Sequence, residues 1–197
     1  MAENLKTTKF NDGTSIPLVT GHLDWLELTT PAYRWYYNDE ARYGNTYGAL
    51  YNWFTINTGD LCPSGWHVPT DDDWKELEST LGMMPTAIDS TGYRGDYIGS
   101  RLAGNADLWR TEELEFLPIE LNDHFGSSCF EALPGGEVDF IDLLPGLRTE
   151  GIMGIWWSAT EFDSQKAWFR KLQGTTNSVY RFYRKKRNGY SVRCVRD

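Results

Sequence analysis

The chain has 197 residues, of which 40% are hydrophobic and 15% aromatic, and a formal net charge of −9. This length suits one domain, and the composition supplies a core and excludes a disordered chain. No apolar run reaches the roughly 20 residues that span a bilayer, and nine Trp, eleven Tyr and nineteen Gly predict short elements joined by tight turns, not a helical bundle.

In chain order, the start MAENLKTTKF lacks the apolar stretch of a signal peptide. Asn11-Asp12-Gly13 lies between two short extended runs and predicts a hairpin. Tyr47, Leu50, Tyr51 and Phe54 recur at helical spacing, so Tyr47–Phe54 is expected as one short helix. Thr70 and Asp73 form a capping arrangement, and Asp71, Asp72 and Asp73 fall where the helix dipole favours negative charge. Pro69 and Trp74 take the staple positions, Trp74, Leu77 and Leu81 form a stripe, and Gly82 is the expected C′ residue. Residues 71–81 therefore read as an amphipathic helix, with the three aspartates as start signals.

Residues 83–150 read as loop-rich, broken at Gly92, Gly95, Gly99 and Gly104. Turns are expected at Pro134-Gly135-Gly136 and Pro145-Gly146, with a short extended piece at LEFLPIEL. GIWWSATE predicts a buried strand whose Trp156 and Trp157 face opposite sides. AWFRKLQ predicts a second strand, and Asn188-Gly189 between alternating runs predicts a further hairpin. On the last run Tyr190, Val192 and Cys194 share one face, and Ser191, Arg193 and Val195 the other.

Charge divides sharply along the chain. Residues 165–197 hold ten Lys/Arg and one acid, a local +9, while the rest carries −18. The basic stretch is patterned as strand, which favours packing against an acidic body over a nucleic-acid arm. Cys62, Cys129 and Cys194 form no C-x-x-C motif, so neither a zinc ribbon nor a thioredoxin-type site is supported. Three buried thiols, or a bridge closing the long loop between Cys62 and Cys194, are both consistent with spacing. In the chain-entropy model such a bridge contributes about 4–5 kcal/mol. His22, His67 and His124 are isolated, and His67 reads as hydrogen-bonded within a packed turn. No catalytic motif, metal ligand set or cofactor signature is present.

From Trp168 to Arg187 both alternating faces carry large aromatic or cationic side chains. One face can be core; the other would present Tyr and Arg, the residue types that dominate binding hot spots. The alternative is a solvated hairpin paired with its own charges.

Taken together, MAENLKTTKFNDGT, PAYRWYYND, YGALYNW, CPSGWHVPTDDDW, ALPGG, WWSATE and GYSVRCVRD resemble the Fibrobacter succinogenes major paralogous domain family, in its order and along the whole chain. The resemblance implies an α+β, C-type-lectin-like fold with short helices around small antiparallel sheets, in the version shared with formylglycine-generating enzymes. It implies an extracellular or outer-surface location, further residues before Met1, and membrane attachment only through a lipid anchor outside this sequence. It also implies a Cys62–Cys194 bridge, since that fold commonly ties its first helix region to its last strand. Family members often carry cysteine where this chain has Arg34, and glycine where it has Cys129. The calcium-sugar motifs of lectins and the copper-holding cysteine pair of the related oxidases are absent.

The expected function is non-enzymatic ligand binding, with no cofactor, no metal and no nucleic-acid partner. Trp168, Arg170, Tyr180, Arg181, Tyr183 and Arg184 would meet a cell-surface protein or glycan. Diversity-generating retroelement variable proteins, which this segment resembles, place their variable residues similarly. The alternatives are a structural adhesin or envelope module without a dedicated ligand, and an oxidase related to formylglycine-generating enzymes.

Overall fold

Thr70 shows how directly local chemistry sets an element here. In the computed structural model, which describes residues 1, 3–109, 119, 122–138 and 149–197, helix α4 runs Asp71–Thr80. The Thr70 hydroxyl accepts from the Asp73 N–H (3.1 Å). Asp73 Oδ2 in turn accepts from the Thr70 N–H (2.7 Å), which closes the expected capping box. Gly82 follows with φ +98°, as a C′ residue should.

The main sheet has four antiparallel strands in the order β4-β7-β6-β5: β4 is Gly92–Arg94, β5 Met153–Glu161, β6 Lys166–Gln173 and β7 Val179–Lys185. Two smaller antiparallel pairs accompany it. One joins β1 (Tyr33–Arg34) to β2 (Leu50–Tyr51), the other β3 (Trp66–His67) to β8 (Val195–Arg196). Short helices complete the α+β arrangement: α1 His22–Leu26, α2 Glu40–Tyr47, α3 Trp53–Ile56 and α5 Ile98–Leu102. Among the described residues no helix is long and apolar enough to cross a membrane.

Alternation along β5 sends its two tryptophans to opposite faces, as expected. Trp157 enters a core with Tyr51, Phe169, Tyr190 and the cysteines 62 and 194. Trp156 enters another with Trp74, Ile98, Leu102, Leu172 and Val179. A third cluster gathers Trp25, Tyr36, Tyr43, Tyr47 and Leu50. Cys62 and Cys194 form the bridge that the family resemblance implied. Cys129 is an exposed free thiol.

The turn at Asn11-Asp12-Gly13 forms, with Lys9 bridged to Ser15. Two other expectations are corrected. Tyr47–Phe54 is not one helix: α2 ends at Tyr47, and Gly48 takes φ +78°. A side chain at Gly48 would meet the Leu5 carbonyl at 2.6 Å. The chain then pairs as β2 before Asn52 caps α3. Nor does Asn188-Gly189 turn a hairpin. The residues that follow cross to the other edge of the sheet, where Ser191 bridges Trp156 of β5. Gly189 exchanges two backbone hydrogen bonds with Val138, and Tyr190 does the same with Tyr51. Gly189 is there for close packing, since an added Cβ would lie 2.8 Å from Val138 and 2.9 Å from Trp25. The predicted two-faced alternation nevertheless holds, with Tyr190, Val192 and Cys194 all in one core.

The loop-rich reading of residues 83–150 missed β4 and α5. Pro134-Gly135-Gly136, expected as a turn, instead forms bridges from Gly135 to Glu150 and from Gly136 to Gly154. LEFLPIEL, apart from Ile119, and Pro145-Gly146 lie outside the described residues.

Candidate functional site

The register of β6 and β7 decides what the basic segment presents. Trp168 pairs with Tyr183, Phe169 with Phe182, Arg170 with Arg181 and Lys171 with Tyr180. Alternation therefore puts Trp168, Arg170, Arg181 and Tyr183 on one face of the sheet. Phe169, Lys171, Tyr180 and Phe182 lie on the other.

Helix α4 packs over the middle of the first face and claims both arginines. Arg170 donates to Glu78 Oε1 (2.7 Å) and Asp71 Oδ1 (2.7 Å). Arg181 donates to Asp71 Oδ2 through Nη2 (2.6 Å) and to the Asp89 carbonyl (2.7 Å). Arg94 on β4 completes the group through Glu78 Oε2 (2.8 Å). Arg170 is 1% exposed and Arg181 5%, so neither can meet a partner, and both are withdrawn from the expected ligand-binding set. Burial alone would raise the Asp71 carboxyl, but the hydrogen bonds and charges of Arg181 and Arg170 outweigh it. Its pKa is held well below the usual carboxylate range. Asp71 is thus more than a helix-start signal.

Beyond the reach of α4 the same strands surface. The Tyr183 ring lies between two others, Phe162 at 3.6 Å with planes 7° apart and Phe182 at 4.4 Å and 13°. Trp168 meets Phe162 and Tyr183 edge-on, at 5.3 and 5.4 Å. The Arg181 guanidinium supports the Trp168 ring from below at 3.7 Å. The ring series continues from Phe182 to Tyr180 (5.8 Å) and from Tyr180 to Tyr93 on β4 (4.8 Å). Lys171 Nζ lies over both tyrosines of that end, 4.7 Å from Tyr180 and 5.3 Å from Tyr93. Burial lowers the Lys171 pKa. Tyr93 donates its hydroxyl hydrogen bond to Gln173 Oε1 (2.5 Å).

The result is a ridge, a series of six rings along β7, from Tyr93 and Tyr180 near its start to Phe162 and Tyr183 near its end, with exposed Arg184 and Lys185 beside the last of them. β4 pairs only with Val179–Arg181, so among the described residues no strand neighbour covers β7 from Phe182 onward on that side. Trp168, Tyr180 and Tyr183 are half-buried and Arg184 is exposed, so these four expected residues remain at the surface. Phe162 and Tyr93, 42% and 46% exposed, belong to the ridge but were missed. Phe162 could have been noticed as a lone aromatic in the acidic turn EFDSQ. Tyr93 carries no local signal, because its place depends on pairing with a strand far along the chain.

His67 is hydrogen-bonded as expected, but from strand β3 at the surface and not within a packed turn. It reaches Asp197 Oδ1 through Nδ1 (2.7 Å) and Asp73 Oδ2 through Nε2 (3.3 Å). The Asp197 hydrogen bond is the largest influence raising its pKa, opposed by burial and reinforced by Asp73. Among the described residues no group of three or more His, Cys, Asp or Glu side chains could hold a metal ion.

The chain is thus an α+β domain of short helices and small antiparallel sheets, with a half-exposed aromatic ridge on its main sheet. The profile of the Fibrobacter succinogenes major domain matches residues 1–196, and the chain belongs to that family. No curated protein and no solved structure matches it.

Proposed function

We propose that this chain is a non-enzymatic ligand-binding domain of the extracellular or outer cell surface, following a C-type-lectin-like path. Its ridge would present aromatic rings and cations to a protein or glycan. The observation that carries this reading is the split within β6 and β7. The buried arginines fix the strands to α4, while Phe162, Tyr93, Trp168, Tyr180, Tyr183, Arg184 and Lys185 stand at or near solvent. Half-exposed stacked rings give contact area at low entropic cost, and free cations give charge-assisted hydrogen bonds. The disulfide supports an oxidising compartment. Such a surface could change its residues without disturbing the scaffold, which suits a diversified variable protein.

The test is retention on arrays of glycans and of cell-surface proteins, using the disulfide-bonded protein. Phe162→Ala with Arg184→Ala should abolish retention and leave the fold unchanged by circular dichroism. Retention that survives this pair would sink the reading, and no retention on any surface would leave a structural envelope module. Sibling copies from one genome should differ at the ridge and agree at Asp71, Glu78, Arg170 and Arg181.

A further inference from the structure

Beside the rings, the outer edge of β7 carries backbone groups of its own. Lys185 pairs with Lys166, and the next residue, Lys186, donates its N–H to the Gln165 carbonyl (2.9 Å). Bonded and non-bonded pairs alternate along an antiparallel ladder, so Phe182, Arg184 and Lys186 turn their backbone bonds toward β6. Val179, Arg181, Tyr183 and Lys185 turn theirs outward. β4 meets the first two, since Arg94 pairs with Val179 and Gly92 with Arg181. It goes no further. Gly92 takes φ +89°, and the chain before it turns off where the Asp89 carbonyl accepts from Arg181 Nη1 (2.7 Å). The Lys185 carbonyl accepts from the Asn188 N–H (3.0 Å). The Tyr183 N–H, the Tyr183 carbonyl and the Lys185 N–H have no backbone partner among the described residues.

Three unpaired groups at strand spacing on an exposed edge form the template that an added strand completes. Charge decides between the occupants. Lys166 and Lys186 are matched by Asp163 and Glu161. Arg184 and Lys185 are exposed and make no ion pair among the described residues. A second copy laid two-fold about Tyr183 would bring the same cations together, and like charges on facing strands repel. A glycan has no backbone that alternates donor and acceptor at strand spacing.

We propose that β7 takes an acidic, extended polypeptide segment as an added antiparallel strand in the line that β4 vacates, a proposal that rests on the ridge being a ligand-binding surface. The guest residue opposite Tyr183 donates to its carbonyl and accepts from its N–H, and sets an apolar side chain beside the Tyr183 ring. Carboxylates one and two places earlier in the guest meet Arg184 and Lys185.

The probe is the capped, fluorophore-labelled peptide Gly-Glu-Asp-Val-Thr-Gly, read by anisotropy against the disulfide-bonded protein with amide hydrogen exchange in parallel. It should bind saturably below about 1 mM and slow exchange of the Tyr183 and Lys185 amides about tenfold or more. Methylating the valine nitrogen removes the donor to Tyr183 and should weaken binding about tenfold or more. Lysines in place of the two acids should abolish it. Lys185→Ala keeps the edge N–H and Lys185→Pro removes it, so the proline variant should bind more weakly than the alanine one. No saturable binding, equal binding of the N-methylated or the lysine peptide, or unprotected amides in the complex overturns the proposal. Protection that appears without peptide as the protein is concentrated overturns it in favour of a second copy. Array retention with both amides unprotected would leave the ridge reading standing and remove the added strand alone. The peptide series on the unaltered protein decides the matter should the proline variant not fold.

Discussion

The middle and the outer end of the β6–β7 ladder carry the same residue types and meet opposite fates. At the middle, Arg170 and Arg181 are sealed against Asp71 and Glu78. At the end, Arg184 and Lys185 are exposed beside stacked rings. Position on the strands separates them: Arg170 and Arg181 share the face that α4 covers, whereas Arg184 pairs with Ala167 on the other face and Lys185 stands at the last pair of the ladder. Helix α4 is ten residues long and covers only part of its face, so Trp168 and Tyr183 on that face stay half-buried.

The strongest way to break this contrast is at the middle. Arg181→Ala would leave Asp71 short of one partner inside the protein, and the expected cost is about 3–5 kcal/mol, read by denaturant unfolding. Arg184→Ala at the end should stay within about 0.5 kcal/mol. Equal losses would show that the two regions are not distinct. Acid titration sharpens the same point. The folded-state pKa of Asp71 is depressed, so its contribution is full above the unfolded value near 4 and declines as pH falls below it. Asp71→Asn should flatten that acid limb, and an unchanged limb would remove Asp71 from its assigned role.

Removing the bridge with Cys62→Ser and Cys194→Ser should cost roughly 2–5 kcal/mol. Thermal melts, with and without reductant, measure it. The smallest effect belongs to His67, a partly exposed side chain at the edge of the scaffold. Its pKa is raised by Asp197 and Asp73, so the stabilisation is full below about 6.5 and is lost as pH rises through the folded value. Solvent screening limits it to under about 1 kcal/mol. Melting temperatures of the protein and His67→Gln, compared on either side of neutrality, should converge on the alkaline side.

What the sequence disclosed was local. The cap at Thr70, the strands carrying Trp156 to Glu161 and Ala167 to Gln173, and the faces of Tyr190 to Val195 all depend on near neighbours. What it hid was distant. The carboxylates that bury Arg170 and Arg181 lie 99 and 110 residues away in sequence, so an alternating basic strand looked free. Asp71 could not be told from Asp72 by position in the first turn, yet one is buried and the other exposed. Asn188-Gly189 misled for a related reason. Glycine serves tight turns and tight packing alike, and only the approach of Val138 and Trp25 distinguishes them here.

The covalent tie between residues 62 and 194 has a mechanical consequence. Tension pulling on the two flanks of this chain would run along residues 1–62, cross the sulfur–sulfur bond, and leave through the last three residues. Every strand of the main sheet lies within the bypassed span. A shear force that frays the amino-terminal third would therefore leave the six-ring ridge unstretched.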